Sequence, residues 1–414
     1  MQYQFPEIRT IKDVEAAIDP AHFFVAQKDG YQVINYHFTS PETFPALEDH
    51  QYIPEGEHSQ AYVNNAIKRE FRGIIFDMEG KIIRRPYHKF FNVGERAETA
   101  FDQIDVSASH VILDKLDGSM IAPFVVNGKI IWGTRMGGTE VSDQVDLFLA
   151  AVDKDEIYSK FAYCMIEMGK TPIFEWTSNT QKIVLDYPTP KLILTGIRDM
   201  VTGVYAPHNT LVDLGQVWKI PVVNVIGGSF CEDFMQFAKN LQFVEGFVIR
   251  FANGHMYKIK CDWYCTLHRV KSDINYERGV LELLLNGNMD DIKAMLPSTD
   301  LGRIEVYEAA FNDQLNHVTH TLLTLISLVR TSKLSRKDYA LRWMPNGEGW
   351  ANNIVFKTWD VAQVDAAIIR ELIVNYILSH CTKNVKFDSL RKETSLLNNV
   401  PEWKPVMFSD DLAA

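Results

Sequence analysis

Two hydrophobic patterns meet near residue 270 of this sequence and constrain its fold more than any other feature. Before that position, short β-prone runs alternate with turn dipeptides, which is typical of antiparallel hairpins. A helical stretch over residues 142–168, with Ser142 as its expected cap, interrupts these runs. The pattern predicts an α+β domain with antiparallel sheets over residues 1–270. The three predicted hairpins turn at Asp29-Gly30, Asn127-Gly128 and Asn253-Gly254.

The second pattern is helical. Apolar residues between Ile304 and Val329 recur every three or four positions, as on one face of a long helix, and Asp300 stands where a cap is expected. A further helix is predicted near residues 361–380. Such stripes form a core and carry no chemistry by themselves, so residues 271–414 are expected to be an all-α C-terminal domain.

Composition narrows the class of protein. With 414 residues and 46% hydrophobic side chains, the chain can bury the cores of two domains. We find no charged-then-apolar leader at Met1 and no apolar run near the ~18 residues of a membrane span, so a cytoplasmic protein is expected. Five scattered cysteines favour free thiols in a reducing compartment. The net charge of -11 argues against nonspecific coating of nucleic acid, so RNA would bind at a local basic patch.

The stretch V-I-L-D-K-L-D-G-S-M places an amine and a carboxylate at the end of an apolar run. Lys115 and Asp117 lie two positions apart, on one face of a predicted strand, and Gly118 then lets another backbone or a ligand come close. The simpler interpretation is a surface ion pair entering a turn. Asp117 would either orient Lys115 or stabilise that turn.

Further charged residues in the same domain favour catalysis by that amine. Lys258 and Lys260 share one strand face, and Glu245 and Glu175 are isolated carboxylates in apolar strands, which need partners. An amine with an ordinary pKa near ~10.4 attacks only when deprotonated. We expect Lys258, Lys260 and a bound metal to lower the pKa of Lys115 and to bind the phosphates that it attacks. Glu245 is the expected Mg²⁺ ligand.

These residues lie in motifs that resemble a known family. K-L-D-G resembles motif I, K-x-D-G, of the covalent nucleotidyltransferases, which comprise ATP-dependent DNA ligases, RNA ligases and mRNA capping enzymes. The order of the flanking motifs is similar to that of the phage RNA ligase 1 family, the tRNA-repair type. This resemblance implies an ATP-grasp-like DNA/RNA ligase fold for the nucleotidyltransferase domain. The flanking motifs are F-R-G-I-I-F at Phe71, R-P-Y-H-K-F-F-N at Arg85, F-E-W at Phe174, E-G-F-V-I at Glu245 and K-I-K-C-D-W-Y at Lys258.

The resemblance implies a role for each matching residue. Lys115 would be the adenylated nucleophile, Gly118 the glycine of close approach and Glu245 the acid near the metal. Where the family often has a lysine in the hairpin after motif I, this chain has Arg135, whose planar fork makes a different contact. The other matches are Glu175 as an acid that contacts the nucleotide, Lys258 and Lys260 at the α-phosphate, and Arg72 and Lys89 at the β- and γ-phosphates with Phe91 packed beside them.

The family's activity supplies the functional expectation. The resemblance implies an ATP-dependent RNA ligase that joins 3′-hydroxyl and 5′-phosphate ends through lysyl-AMP and RNA-adenylate intermediates. Mg²⁺ is the expected metal, with Mn²⁺ as a substitute. The expected substrate is a nicked tRNA anticodon loop, whose unpaired bases are accessible, and the helical domain would help to select it. If a phage encodes the protein, it would work in the host cytoplasm.

Three alternatives remain open. A DNA ligase or a capping enzyme would usually continue with an oligonucleotide-binding domain built of strands, whereas this chain continues with helices. A catalytically idle RNA-binding or sensing protein on the same scaffold would have no reason to keep Lys115 and its phosphate ligands. A zinc site on one helical face, lacking a fourth ligand, would be formed by Cys261, Cys265 and His268.

Overall fold

Two compact units make up the described part of the chain. One ends at Thr266 and the other begins at Leu267. The expected boundary at residue 270 lies in the same helix as this junction, Asp262–Asp273. The computed structural model describes residues 3–47, 59–179, 184–294, 296, 298–342, 344 and 347–405.

The strands of the first unit form three sheets. The strands are β1 (Phe23–Lys28), β2 (Tyr31–Tyr36), β3 (Ile74–Asp77), β4 (Ile82–Arg84), β5 (Phe91–Asn92), β6 (His110–Lys115), β7 (Ser119–Val126), β8 (Lys129–Gly133), β9 (Lys170–Thr177), β10 (Lys191–Asp199), β11 (Val225–Ile226), β12 (Gly246–Phe251) and β13 (Met256–Lys260). Their orders are β1-β2-β3-β4, β10-β9-β7-β8 and β11-β6-β12-β13-β5. Neighbours pair antiparallel except β13 and β5, which are parallel. With the helices that interrupt these strands, this confirms the predicted α+β class.

The three predicted hairpins are present. Asp29-Gly30 joins β1 to β2, Asn127-Gly128 joins β7 to β8, and the loop with Asn253-Gly254 joins β12 to β13. Asn127 and Gly128 have φ values of 51° and 73°, the left-handed conformation that a type I′ hairpin turn requires at both positions. Turn chemistry within a few residues therefore determined these three pairings.

Helices cover both units. In the first unit they are α1 (Gln60–Lys68), α2 (Glu140–Val152), α3 (Ile157–Glu167), α4 (His208–Trp218) and α5 (Glu232–Lys239). From the junction onward they are α6 (Asp262–Asp273), α7 (Glu277–Leu285), α8 (Met289–Lys293), α9 (Ser298–Thr331), α10 (Arg336–Arg342), α11 (Gly349–Lys357), α12 (Ala366–Cys381) and α13 (Asn384–Glu393). Short 3₁₀ turns occupy Ile11–Asp13, Glu15–Ala17, Ala97–Thr99, Phe101–Gln103 and Ser395–Leu397. None of the described helices combines the length and apolar character needed to cross a bilayer.

The single helix predicted over residues 142–168 is wrong, because α2 and α3 are separate. Asp153 ends α2, and its carboxylate accepts the backbone N–H groups of Ile157 at 2.7 Å and Tyr158 at 2.9 Å, which starts α3. The predicted cap at Ser142 is also wrong: Thr139 is the N-cap, and Ser142 lies in the first turn with its hydroxyl accepting the N–H of Thr139.

The long helix of the second unit begins before its predicted cap. Asp300 lies in the first turn of α9 and its carboxylate is 3.5 Å from the amine of Lys271, so it is not the N-cap. The helix expected near residues 361–380 begins at Ala366, where Asp365 caps it by accepting the N–H of Ile368 at 3.0 Å. The apolar stripe of α9 is buried in the core of this unit, as the periodicity predicted.

Alternation along β13 positions the charged residues of the third sheet. Tyr257 and Ile259 are buried in a cluster with Ile249 of β12. Because successive side chains of a strand point to opposite faces, Lys258 and Lys260 lie on the other face. The sheet therefore has one apolar face and one face that carries lysines.

Candidate active site

Three adjacent strands, β6, β12 and β13, bring four of the predicted site residues together. Lys115, the last residue of β6, lies opposite Gly246 in β12, and Gly246 lies opposite Lys260 in β13. Glu245 directly precedes Gly246, and its Oε1 lies 2.6 Å from the amine of Lys115 and 3.2 Å from that of Lys260. Lys258, two positions before Lys260, faces the same side of the sheet.

The amine of Lys115 is paired and charged in this structure. Its side chain is 21% exposed. Burial alone would lower the pKa of Lys115, but the carboxylates of Glu245 and Glu175 outweigh burial and raise that pKa above its ordinary value. The expectation that Lys258 and Lys260 hold this amine neutral is therefore wrong, because its strongest neighbouring charges are negative.

The two carboxylates of the site differ in protonation. Burial would raise the pKa of Glu245, but Lys115 and Lys260 lower it below its ordinary value, so Glu245 is ionised. Glu175 lies in β9 and has no salt bridge to a described residue. Burial raises the pKa of Glu175 to about 8, against the opposing effect of Lys115. At neutral pH Glu175 is therefore mostly protonated and able to donate a hydrogen bond.

Lys258 has no anionic partner among the described residues. Burial, followed by the charges of other cations, lowers its pKa well below the ordinary value. Its amine makes no hydrogen bond or salt bridge to the residues that the structure describes. The protonated form of Lys258 is unfavourable among like charges, and a bound anion would stabilise it. The cations that act on Lys258 are Lys89, Lys115, Arg72 and Lys260.

Tyr36 lies among three cations and was missed by the sequence analysis. The amine of Lys89 is 5.1 Å and the Cζ of Arg135 is 4.6 Å from its ring centroid. Burial would raise the pKa of Tyr36, but Arg72, Lys89 and Arg135 lower it to about 8. Phe91, 2% exposed, has its ring centroid 5.6 Å from the Lys89 amine, so the two pack together as predicted. Strand periodicity marks Tyr36 as a core residue only, because its cationic neighbours are distant in sequence.

Asp117 does not pair with Lys115. It is 2% exposed, and its Oδ2 accepts the N–H groups of Val184 at 2.8 Å and Leu185 at 2.6 Å. Its Oδ1 accepts the hydroxyl of Tyr264 at 2.7 Å. The surface ion pair is therefore wrong, and Asp117 stabilises the segment at Val184 instead. Tyr264, which the sequence analysis did not assign to the site, joins it through this bond.

Gly118 permits a close approach between backbones. A Cβ at this position would lie 2.2 Å from the carbonyl oxygen of Trp176 in β9. Its φ is not in the left-handed region, so space rather than backbone conformation requires glycine here. The backbone that approaches Gly118 closely is therefore that of strand β9.

The described residues contain no group of three His, Cys, Asp or Glu side chains arranged to hold a metal ion. The alternative zinc site at Cys261, Cys265 and His268 therefore has no support, and the thiol of Cys261 donates to the carbonyl oxygen of Val244 at 2.9 Å. Mg²⁺ is usually held by one or two carboxylates together with substrate phosphates. The buried carboxylate of Glu245 fits that smaller ligand set.

Comparisons with known proteins show which family this chain resembles. The sequence profile of a family described as RNA ligase matches residues 70–264. A putative RNA ligase of Thermovibrio ammonificans is 31% identical over 300 residues, which cover 69% of this chain and 71% of that protein. RNA ligase 1 of bacteriophage TS2126 is 25% identical over 235 residues, which cover 55% of this chain and 58% of that protein.

Solved structures of ligases show weaker likenesses. A putative ATP-dependent DNA ligase from Aquifex aeolicus overlaps 73% of this chain and 74% of its own, at 13% identity and a TM-score of 0.40. Family membership rests instead on the identity and coverage of the Thermovibrio ammonificans protein. The chain belongs to the phage-type RNA ligase family, a family of RNA-joining enzymes.

Proposed function

We propose that this RNA ligase uses ATP to join an RNA 3′-hydroxyl to a 5′-phosphate in three steps. Lys115 attacks the α-phosphorus of ATP, a P–N bond forms, and pyrophosphate leaves as the bond to the bridging oxygen breaks. The adenylate then passes to an RNA 5′-phosphate, and the 3′-hydroxyl finally displaces AMP. The observation that carries the proposal is the position of the Lys115 amine. It lies 2.6 Å from Oε1 of Glu245, and its charge is among those that lower the pKa of Lys258.

The unpaired cations of the site suit a triphosphate. Lys258 has no acceptor among the described residues, and Nη1 of Arg135 is buried without a hydrogen-bond partner there. Buried donors without acceptors are unfavourable, and a triphosphate supplies many anionic oxygens. The proposed contacts are Lys258 and Lys260 at the α-phosphate, and Arg72 and Lys89 at the β- and γ-phosphates with Arg135 beside them.

Lys115 must lose a proton as it attacks. Oε1 of Glu245, at 2.6 Å, is an acceptor within hydrogen-bond reach of that amine. Glu175, whose pKa of about 8 keeps it mostly neutral, is assigned to the nucleoside, where it donates a hydrogen bond without repelling phosphates. Mg²⁺ bound with ATP would neutralise phosphate charge, and Glu245 is its proposed ligand.

RNA is the proposed substrate, in agreement with the names of the relatives. We assign adenylate transfer to the unit ending at Thr266 and RNA selection to the helical unit. A nicked tRNA anticodon loop is the proposed physiological substrate, because RNA is recognised best where its bases are unpaired.

Covalent labelling tests the first step. Wild-type protein incubated with Mg²⁺ and ATP labelled at the α-phosphate is expected to acquire a labelled band that survives denaturation. Lys115→Ala removes the attacking amine and is expected to abolish the band. Lys129→Ala, a loss of the same charge at an exposed strand residue, is the matched control and should label normally.

Each other outcome of that experiment counts against the proposal. Label from GTP in place of ATP would assign a capping activity, and the absence of any band would assign an idle scaffold. A band that persists in Lys115→Ala would place the nucleophile elsewhere. Ligation of nicked tRNA compared with a nicked duplex then tests the substrate, and a preference for the duplex would contradict tRNA repair.

A further inference from the structure

A cavity lies at the opposite end of the strands that carry the candidate active site. It has a volume of about 640 Å³ and is lined by residues at the start of β6 and the end of β12, including His110 and Arg250. His110 begins β6 and Lys115 ends it, so the length of that strand, roughly 17 Å, separates the two places. The chemistry proposed for Lys115 leaves this cavity without a role.

Arg250 is one of the residues that line the cavity, and its side chain has unused hydrogen-bond donors. The residue is 6% exposed, and both Nη1 and Nη2 are buried without a partner among the described residues. The structure shows no salt bridge to Arg250 from any residue that it describes. Burial lowers the pKa of Arg250, and the groups that oppose this effect are the phenols of Tyr87 and Tyr205. A guanidinium with two free donors on one edge matches the oxygens of a phosphate.

A second unpartnered group and a helix start line the same cavity. His208 is 8% exposed, and its Nδ1 is buried without a hydrogen-bond partner among the described residues. This residue begins α4, whose N-cap, Pro207, makes no side-chain capping bond. The first N–H groups of a helix have no acceptor within the helix and favour anions. Burial and the charge of Arg250 lower the pKa of His208, so its ring is neutral at pH 7 and Arg250 carries the charge.

The lining supplies little negative charge to balance that arginine. Glu7 is the one carboxylate among the described residues around the cavity. It is exposed, and it accepts a hydrogen bond from the guanidinium of Arg9 at 3.2 Å. The cavity is therefore electropositive where Arg250 lines it.

Aromatic rings form another part of the wall. The ring centroids of Phe5 and Tyr205 are 5.6 Å apart, and that of Tyr3 is 4.6 Å from Phe5. Aromatic side chains beside a cationic group suit a base and its phosphate. The volume lies within the range of roughly 300–1,000 Å³ that is usual for small-ligand sites.

We infer that this cavity is a second nucleotide site, in which Arg250 binds the phosphate of a nucleoside monophosphate unit and Phe5 and Tyr205 contact its base. The unit is either a free mononucleotide or the phosphorylated end of an RNA strand. The inference goes beyond adenylate transfer, because none of these residues takes part in the chemistry proposed at Lys115.

Isothermal titration calorimetry of the full chain tests this site. An ATP analogue with a methylene group between the α- and β-phosphorus is kept at saturation, so that the place around Lys115 stays filled. We expect AMP to bind the wild-type protein, and its affinity to fall at least about tenfold in Arg250→Met, which removes the charged fork. Adenosine, without the phosphate, is expected to bind at least about tenfold more weakly than AMP. Lys154→Met, the loss of one exposed charge, is the control and should bind AMP like wild type.

Equal affinities for AMP in the wild type and in Arg250→Met, or equal affinities for AMP and adenosine, would overturn the inference. Arg250→Lys keeps the charge without the fork and should show an intermediate loss; if Arg250→Met does not fold, this variant and adenosine decide. A 5′-phosphorylated hexauridylate that binds more tightly than AMP assigns the RNA end as ligand, and weaker binding assigns a free mononucleotide. These affinities are measured without any labelling of Lys115. The nucleotide site at Arg250 and adenylate transfer at Lys115 can therefore fail independently of each other.

Discussion

The chemistry of Lys115 depends on which charges the fold places beside it. Glu245 is ionised 2.6 Å from the amine and stabilises its protonated form, whereas Lys258, among cations, is driven towards neutrality. Two lysines of one sheet, on strands that flank β12, thus have pKa values shifted in opposite directions. The charged pair is a resting arrangement, and attack on ATP requires that the proton of Lys115 be transferred.

A single methyl group at Gly118 tests the close strand approach beside the site. In Gly118→Ala the new Cβ would lie 2.2 Å from the carbonyl oxygen of Trp176, so the backbones must separate. We expect a loss of about 1–3 kcal/mol in the free energy of unfolding, as is usual for overpacking, and less labelling of Lys115. Urea denaturation followed by tryptophan fluorescence measures the first effect.

Gly227→Ala is the matched control for that substitution. A Cβ at Gly227 meets no atom within 4 Å, and its φ is not left-handed, so stability should change little. If Gly118→Ala were as stable as Gly227→Ala, the close contact with Trp176 would not affect the free energy of unfolding.

At the scale of elements, the break between α2 and α3 shows what periodicity misses. The helix predicted over residues 142–168 runs through four charged residues at 153–156, where Asp153 ends one helix and caps the next with both carboxylate oxygens. Glu156 then has a φ of 55°, which a continuous helix does not allow. A side chain that accepts hydrogen bonds from backbone N–H groups competes with the helical carbonyl groups for those donors, and here the Asp153 carboxylate accepts two of them.

Asp153→Ala tests this cap. The substitution leaves two N–H groups at the start of α3 without their acceptor, and we expect it to lower the free energy of unfolding by about 1 kcal/mol. Thermal unfolding followed by circular dichroism measures the change. Asp155→Ala, two residues on and exposed, is the control and should melt like wild type. Equal stability of the two variants would show that the cap contributes nothing.

At the scale of the molecule, a buried carboxylate links the first two sheets of the first unit. Glu70 is 2% exposed and lies 3.0 Å from Arg85, which follows β4, and 2.7 Å from Arg198 in β10. Burial would raise the pKa of Glu70, but Arg198 and Arg85 lower it from 4.5 to about 2. These contacts join segments far apart in the chain, so their effect belongs to the whole unit.

Acid stability tests this linkage. Between pH 4.5 and pH 2 the folded state binds fewer protons at Glu70 than the unfolded state, because its folded pKa is depressed. The stabilisation, roughly 3 kcal/mol, is therefore complete above pH 4.5 and lost as the pH falls towards 2. Urea midpoints from pH 6 to pH 3 should fall steeply in the wild type. In Glu70→Gln the midpoint should be lower at pH 6 but change less with pH.

Glu167→Gln, at an exposed residue, is the control for acid stability and should keep the wild-type slope. If Glu70→Gln lost stability with falling pH as steeply as this control, the buried carboxylate would not govern the acid response.

Much of the local structure was predictable from short stretches of sequence. The three hairpins follow from Asp-Gly and Asn-Gly turns, and the helical unit follows from apolar spacing, because both signals depend on backbone preferences within a few residues. The motifs around Lys115 indicated the family through their resemblance to known motifs, which are also short stretches of sequence. The helix boundaries at Ser142 and Asp300 were wrong, because a cap is decided by one hydrogen bond that spacing does not report.

The sequence by itself determined the turns, the strand alternation and the set of charged residues that face one way along β13. The tertiary structure decided the charge on Lys115, the partners of Asp117, the place of Tyr36 among three cations, and the cavity at Arg250. The physical reason is distance along the chain. Turn and strand preferences are local, whereas a pKa or an unpaired donor depends on groups that meet only when distant segments pack together.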